Sequence, residues 1–336
     1  DYGPVTDEVA GRRSQNIKRR ELIRVPNFFE SVITDSRRVP WDGLGASGLN
    51  LARSAEEALD MSGLLWQVEK RPLFLNNGQR VHDAYANVRT CDETILGVVG
   101  KDYRVINNEQ AFGWTSPLLN EGVEYIAAGA MGGDGRRTWL CAKFRDYQNV
   151  LGDRIDMYVV ITNSFNSRSS IKVCLTPIRV VCANALTYSL RNAQRVWSLK
   201  HTQSAKHRLD QVAQTIQRNH ILGKRLEENA DRLANRKISL EEFVNRLLPI
   251  PVGDAKVTER MIANTHFIRN QIFEMGESWD LKPFKGTSYA ALQTLAAFAS
   301  HGTPIRKTAD FRENRFQKLI DGHSLLQRAS DLALAI

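Results

Sequence analysis

From Met157 to Leu209 the chain carries no aspartate and no glutamate, although 37 acids in 336 residues would put about six in a window of that length. The same window holds Arg168, Lys172, Arg179, Arg191, Arg195, Lys200, Lys206 and Arg208, with His201 and His207. These eight cations account for nearly all of the net charge of +9, so the rest of the chain is close to neutral. A groove of Lys and Arg gains affinity for nucleic acid by releasing counterions from phosphates, and aromatic rings stack on unpaired bases. Phe165, Tyr188 and Trp197 are interleaved with the cations. A carboxylate beside such a groove would repel the backbone, so its absence matters. The expected phosphate contacts are Arg168, Lys172, Arg179, Arg191, Arg195, Lys200 and Lys206, with Trp197 as a stacking ring. The competing reading is that these cations pair with acids on C-terminal helices, such as Glu227, Glu228 and Asp231.

Other chemistry finds less support. Met131-Gly-Gly-Asp-Gly reads as a hairpin tip, because neither a GxxxxGK[ST] sequence nor a GxGxxG opening a helix frames its glycines. Arg136 and Arg137 beside it would add cations at that tip. There is no HExxH and no GxSxG. His201 and His207 are six apart, which is no one-face helical ligand pair, and read as weak phosphate contacts or solvated residues. Asp102, Glu109, Glu241 and Glu242 could serve as nuclease carboxylates, but turns and helix caps account for them. Cys91, Cys141, Cys174 and Cys182 are scattered without a CxxC pair, and three of them lie in apolar runs, as buried free thiols in a reducing cytosol would. No catalytic residue, metal or cofactor is expected, and the chain is read as not an enzyme.

The positioning elements follow from local pattern. Residues 1–50 read as a basic arm, with Arg12, Arg13, Lys18, Arg19, Arg20 and Arg24 opposed by Glu21 and with Pro26, Pro40 and Gly43 to Gly48 interrupting any long element. Such an arm tracks phosphates, docks on a neighbouring subunit or stays solvated. Residues 51–202 read as an α+β core. Ser54-Ala-Glu-Glu is a capping box for a short helix. Strands are expected over Leu64 to Leu75, Ala84 to Thr90, Thr94 to Val99, Val123 to Ala130 and Arg137 to Phe144, with an Asn107 or Asn108 cap between. Met157 to Thr162 and Ile171 to Leu175 are strands around a polar loop, Asn163 to Ser170. Thr176 as N-cap and Pro177 at the first position predict a helix carrying Ile178, Val181, Cys182, Ala185 and Leu186 inward. Residues 203–336 read as helical: a long helix from about Ala205 with Gly223 as an interruption, one capped by Ser239, and helices over Thr258 to Met275, Thr287 to Ser300 and Asp321 to Ile336. No apolar run reaches the roughly 18 residues of a membrane span, and the N-terminus lacks the pattern of a secretory leader.

Three stretches resemble a known family: Gly100-Lys-Asp-Tyr-Arg-Val-Ile-Asn-Asn, the run Ile171-Lys-Val-Cys-Leu-Thr-Pro-Ile-Arg-Val-Val-Cys-Ala-Asn-Ala-Leu, and Gly286-Thr-Ser-Tyr-Ala-Ala-Leu-Gln-Thr-Leu-Ala-Ala-Phe. Together they are similar to phage- and plasmid-like proteins containing a widespread domain of unknown function, over roughly residues 60 to 305. At Gln293 and Ser300 the chain departs from that family, which more often has an asparagine and acidic residues there. The resemblance implies a mobile-element protein of the bacterial cytosol and hands over no catalytic residues. The order of a β-meander followed by a helix also looks like the core of phage single-strand annealing proteins. The expectation is therefore an α+β protein, mostly an antiparallel meander followed by helices, binding single-stranded DNA without sequence preference. It would act as a homo-oligomer, a ring or filament, and promote annealing. The alternatives are a phage structural or interaction protein whose basic face docks acidic protein, and a metal-dependent nucleic-acid enzyme.

Overall fold

The computed structural model describes residues 44–131, 134–179, 184–185, 196–202, 205, 208–209, 211–212, 220–252 and 257–336. The strands are β1 Ala46–Ser47, β2 Val68–Phe74, β3 Arg80–Arg89, β4 Thr94–Gly100, β5 Val123–Met131, β6 Arg137–Val150, β7 Asp153–Ser164, β8 Ile171–Arg179, β9 Asn184–Ala185 and β10 Val196–Leu199. The helices are α1 Ala55–Met61, α2 Asn108–Phe112, α3 His220–Ala234, α4 Leu240–Leu247, α5 Glu259–Gly276, α6 Ser288–His301, α7 Phe311–Asp321 and α8 Ser324–Ala335. The chain is thus α+β, with antiparallel sheets ahead of a helical C-terminal region.

Two sheets form. β2, β3 and β4 make a small meander, and β1-β5-β6-β7-β8-β10 make the large sheet, with β9 also pairing with β8. β7 explains the centre: every residue from Ile155 to Ser164 is buried, as a strand covered on both faces requires. The apolar side chains of Met157, Val159 and Ile161 fill one face. Helices α3 to α8 share one hydrophobic core with this sheet, extending from Ala46 to Ala333. Helix α6 is the centre of the helical half, flanked by α3, α4, α5, α7 and α8. Its Thr287 cap accepts from the Ala290 N–H at 3.2 Å, and small residues such as Ala291 and Ala296 let its neighbours approach.

Several expected boundaries change. The helix expected from Thr176-Pro177 is not there: both residues belong to β8, where Thr176 pairs with Tyr158 and Pro177 with Met157. The alternating Ile171, Val173, Leu175 pattern continues in strand form, and partnership with β7 outweighs the local helix-start signal. Pro177 falls in the gap on the outer side of β8, between Cys174, where pairing with β10 stops, and Ile178, where pairing with β9 starts, and a proline costs least where a strand lacks a partner on one side. The inward helical face drawn through Val181, Cys182 and Leu186 lies outside the described residues. Gly223 interrupts nothing, since α3 runs through it. Helix α7 was not foreseen. The end of the basic arm, residues 44–50, joins the large sheet instead of standing apart, because Gly45 and Gly129 let β1 approach β5. A Cβ at Gly45 would lie 2.2 Å from the Ala128 carbonyl oxygen.

Gln293 is fully buried in α6, and neither of its amide atoms has a hydrogen-bond partner among the described residues. A buried amide without partners costs more than an apolar group of the same shape. Gln293→Met is therefore expected to raise the free energy of unfolding by about 1 kcal/mol, read as a higher urea midpoint at unchanged slope. A lower midpoint would mean that the amide has a partner in solution.

Candidate nucleic-acid interface

The polar loop between β7 and β8 is held from three sides. The Phe165 N–H donates to the Arg136 carbonyl at 2.8 Å, tying the loop to the β5–β6 hairpin. The Phe165 carbonyl accepts from Asn87 Nδ2 at 2.7 Å, and its ring packs 5.3 Å from that of Trp66. Gly97 allows the small sheet to press on the loop, since a Cβ there would stand 2.5 Å from the Asn166 Cα. Asn166 Oδ1 then accepts from the Arg168 N–H at 3.1 Å and from Ser164 Oγ at 2.8 Å. This side-chain turn, with Ser167 at a φ of 56°, presents Arg168 to solvent.

Beneath the loop lies a buried polar network. Asn163 Nδ2 donates to the Ile106 carbonyl at 2.9 Å and to Asn108 Oδ1 at 3.2 Å. Its Oδ1 accepts from the Ser164 N–H at 2.9 Å and meets His201 Nε2 at 3.0 Å. All four positions of this amide are used, which assigns the imidazole proton to Nε2. Asn108 extends the chain to Thr138 Oγ1 at 2.7 Å and the Leu64 carbonyl at 3.0 Å. His201 is stacked on Tyr103 at 4.8 Å, and its carbonyl accepts from the Arg104 N–H at 3.1 Å. Tyr103 in turn donates to the Ser164 carbonyl at 2.7 Å. His201 is therefore neither solvated nor a phosphate contact but a buried tie, and burial holds its pKa down at about 4.

Strand register gathers part of the expected cation set at one end of the large sheet. Arg137 opposes Ser164 at the end of β7, Lys172 opposes Thr162, and Ile171 opposes Leu199, one residue before Lys200. Arg136, Arg137, Arg168, Lys172 and Lys200 therefore share this end. Arg179 does not. It pairs with Ile155 at the far end of β8, roughly 24 Å away at about 3.4 Å per residue. Arg191, Arg195, Lys206, His207 and Tyr188 lie outside the described residues.

The end is not acid-free in three dimensions. Arg136 pairs with Asp134 across 2.6 Å on the hairpin tip. Lys172 pairs with Asp321 on α7, so one cation does meet a C-terminal helix, although through an acid other than Glu227, Glu228 or Asp231. Arg137 approaches Gln317 on α7 at 3.4 Å. Arg168 and Lys200 are exposed, with no ion pair among the described residues. Next to this end, Arg89 holds Asp92 in a two-pronged pair at 2.9 and 2.7 Å, and that hydrogen bonding pulls the Asp92 pKa down to about 2. Trp197 and Phe165 are buried in apolar clusters, so neither offers a ring for base stacking; the expectation for Trp197 is corrected. Their interleaving with the cations in sequence does not expose them, because strand alternation alone does not tell which face is covered. The network residues Asn163 and His201 were missed as a pair, and only the polar cluster closing an apolar strand signals them.

Among the described residues no group of three or more His, Cys, Asp or Glu side chains could hold a metal ion, and no helix is long and apolar enough to cross a membrane. Cys141 and Cys174 are buried free thiols, whereas Cys91 is exposed. Compared with models of protein families, residues 95–320 match one described as a domain of unknown function, DUF932. No curated protein and no solved structure matches.

Two outcomes test the network. Asn163→Ala strands the His201, Ser164 and Ile106 partners in the core and should cost about 3 kcal/mol or more in urea unfolding. Because the His201 pKa is lower folded (about 4) than unfolded (about 6.5), its neutral form stabilises the fold fully above the unfolded value. That stabilisation is lost as pH falls from about 6.5 towards 4. Between pH 7 and 5 the loss should be about 2 kcal/mol, and His201→Asn should flatten this part of the profile. An equal slope in both proteins would show that His201 does not titrate with folding.

Proposed function

From a chain that belongs to the DUF932 family, we propose that it binds single-stranded DNA without sequence preference, through the backbone phosphates, at the loop end of the large sheet. The reading rests on one observation: Arg136, Arg137, Arg168, Lys172 and Lys200, separated by up to 64 positions in sequence, share one sheet end. Such a patch gains by counterion release and needs no base contact. The burial of Phe165 and Trp197 fits this mode, because a strand held by its phosphates keeps its bases outward and free to pair. That is the requirement for promoting annealing, in a homo-oligomeric ring or filament that extends the cationic path from subunit to subunit. The setting would be phage or plasmid recombination in a bacterial cytosol.

A second reading is an acidic protein surface docking on the same cations. The Lys172–Asp321 and Arg136–Asp134 pairs favour it, since these side chains already accept protein carboxylates.

Replacing Arg136, Arg168 and Lys200 together by Ala is expected to weaken binding of a labelled single strand and to reduce the slope of log affinity against log salt by about 2, at roughly 0.7 per lost phosphate contact. Arg179→Ala, at the other end of β8, should leave both unchanged. An unaltered affinity and slope in the triple variant would remove this interface. Mass measurement with and without the oligonucleotide reads the assembly state, and salt-sensitive capture of a polyglutamate peptide in place of DNA would favour the docking reading.

A further inference from the structure

A second cationic site lies on the opposite side of α7 from the sheet. Between α5, α6 and α7 is a cavity of about 310 Å3, at the small end of the range for sites that enclose a small molecule. Arg306, Arg315, Lys318 and His323 reach its lining, and no carboxylate does. Ile268, Phe298 and Ile305 supply an apolar wall. Three cations facing one cavity without an acid repel each other; burial, with the charge of nearby Arg312 added, lowers the pKa of Arg315. Asp321, on the same helix, is engaged by Lys172 on the sheet side.

Arg315 also solves the difficulty that a helix C-terminus poses for an anion. Its guanidinium donates to the Ser300 carbonyl at 3.2 Å and to the Gly302 carbonyl at 2.5 Å, so the negative end of α6 is covered by positive charge. Lys318 and Arg306 are exposed and can turn inward. His323 Nδ1 is buried with no hydrogen-bond partner among the described residues, and burial together with Lys318 holds its imidazole towards the neutral form.

We propose that this cavity binds an organic phosphate of mononucleotide size, its phosphate held by Arg306, Arg315 and Lys318 and its organic body lying against Ile268, Phe298 and Ile305. A phosphate monoester carries close to two negative charges at neutral pH and three acceptor oxygens, which suits three donors better than one carboxylate would. The volume is enough for a ligand of mononucleotide size. The site uses none of the residues assigned to the strand interface, so the two stand or fall separately.

Calorimetric titration of the full chain with deoxyadenosine monophosphate, deoxyadenosine and inorganic phosphate tests the proposal. The nucleotide should bind, with the nucleoside and inorganic phosphate each at least about tenfold weaker. Lys318→Gln and Arg306→Gln, both at exposed positions, should each weaken the nucleotide about tenfold without altering the melting curve. The variant with Arg136, Arg168 and Lys200 replaced by Ala should bind the nucleotide as before. No binding at millimolar nucleotide overturns the proposal, as does binding insensitive to both Gln variants. Equal affinity for the nucleoside or for inorganic phosphate removes the organic-phosphate assignment.

Discussion

One side-chain amide fixes where the structure can put its charge. Asn163 is the penultimate residue of a strand that is buried from Ile155 onward, and at that depth every polar atom must be paired or it costs the fold. Its four hydrogen bonds reach Ile106 and Asn108 at the entry of α2, the following residue and the imidazole of His201. Those are three parts of the chain that otherwise share no strand pairing. Because the amide is saturated, none of them can shift without stranding a partner, and the loop that follows starts from a fixed point. The Gly97 contact and the Phe165 bonds to both the small sheet and the hairpin then leave that loop one way to turn. Arg168 is exposed as a consequence of this construction.

The electrostatics depend on the same geometry. A window without acids suggests a surface without acids, but sheets bring distant segments together. Asp134 and Asp321 arrive from a hairpin and a helix that sequence distance separates from the window. Exposed pairs of this kind are weak, commonly below about 1 kcal/mol, so a polyanion offering several phosphates at once can displace them. Arg168 and Lys200 need no such exchange. The patch therefore has two ready cations and others whose release depends on salt and on the multiplicity of an anionic ligand, which is compatible with the proposed binding to a strand's backbone.

Much of the architecture was legible in the sequence, for identifiable reasons. Ser54, Asn107, Ser239, Thr258 and Thr287 open helices because a cap is a local interaction, and the glycine-rich tip between β5 and β6 marks its hairpin equally locally. The failures are non-local. Thr176-Pro177 carries a strong helix-start signal that the whole length of β7 overrides, and nothing nearby in sequence announces that partner. Trp197 alternates in a strand, but which face is covered is decided by residues dozens of positions away. Helix α7 hides because its apolar anchors, Phe316 and Ile320, are few and one of them is spent on an edge contact with Trp139 at 5.2 Å. The gathering of the cations was not legible at all, since register and not spacing produces it.

Helix α7 also shows why the two cationic regions do not merge into one. On its sheet side it presents Gln317 and Asp321, an acceptor and an acid, to Arg137 and Lys172. On its other side Arg315 and Lys318 face the cavity. A helix positive on both sides would be repelled from the sheet end, and one negative on both sides would fill the cavity with its own carboxylates. Dividing the charges by face lets the helix dock through Phe316 while its cations line the cavity. The acid that partly quenches the sheet-end patch lies on the face of α7 that meets the sheet, while the buried ring of Phe316 against Trp139 supplies the packing that holds the helix there.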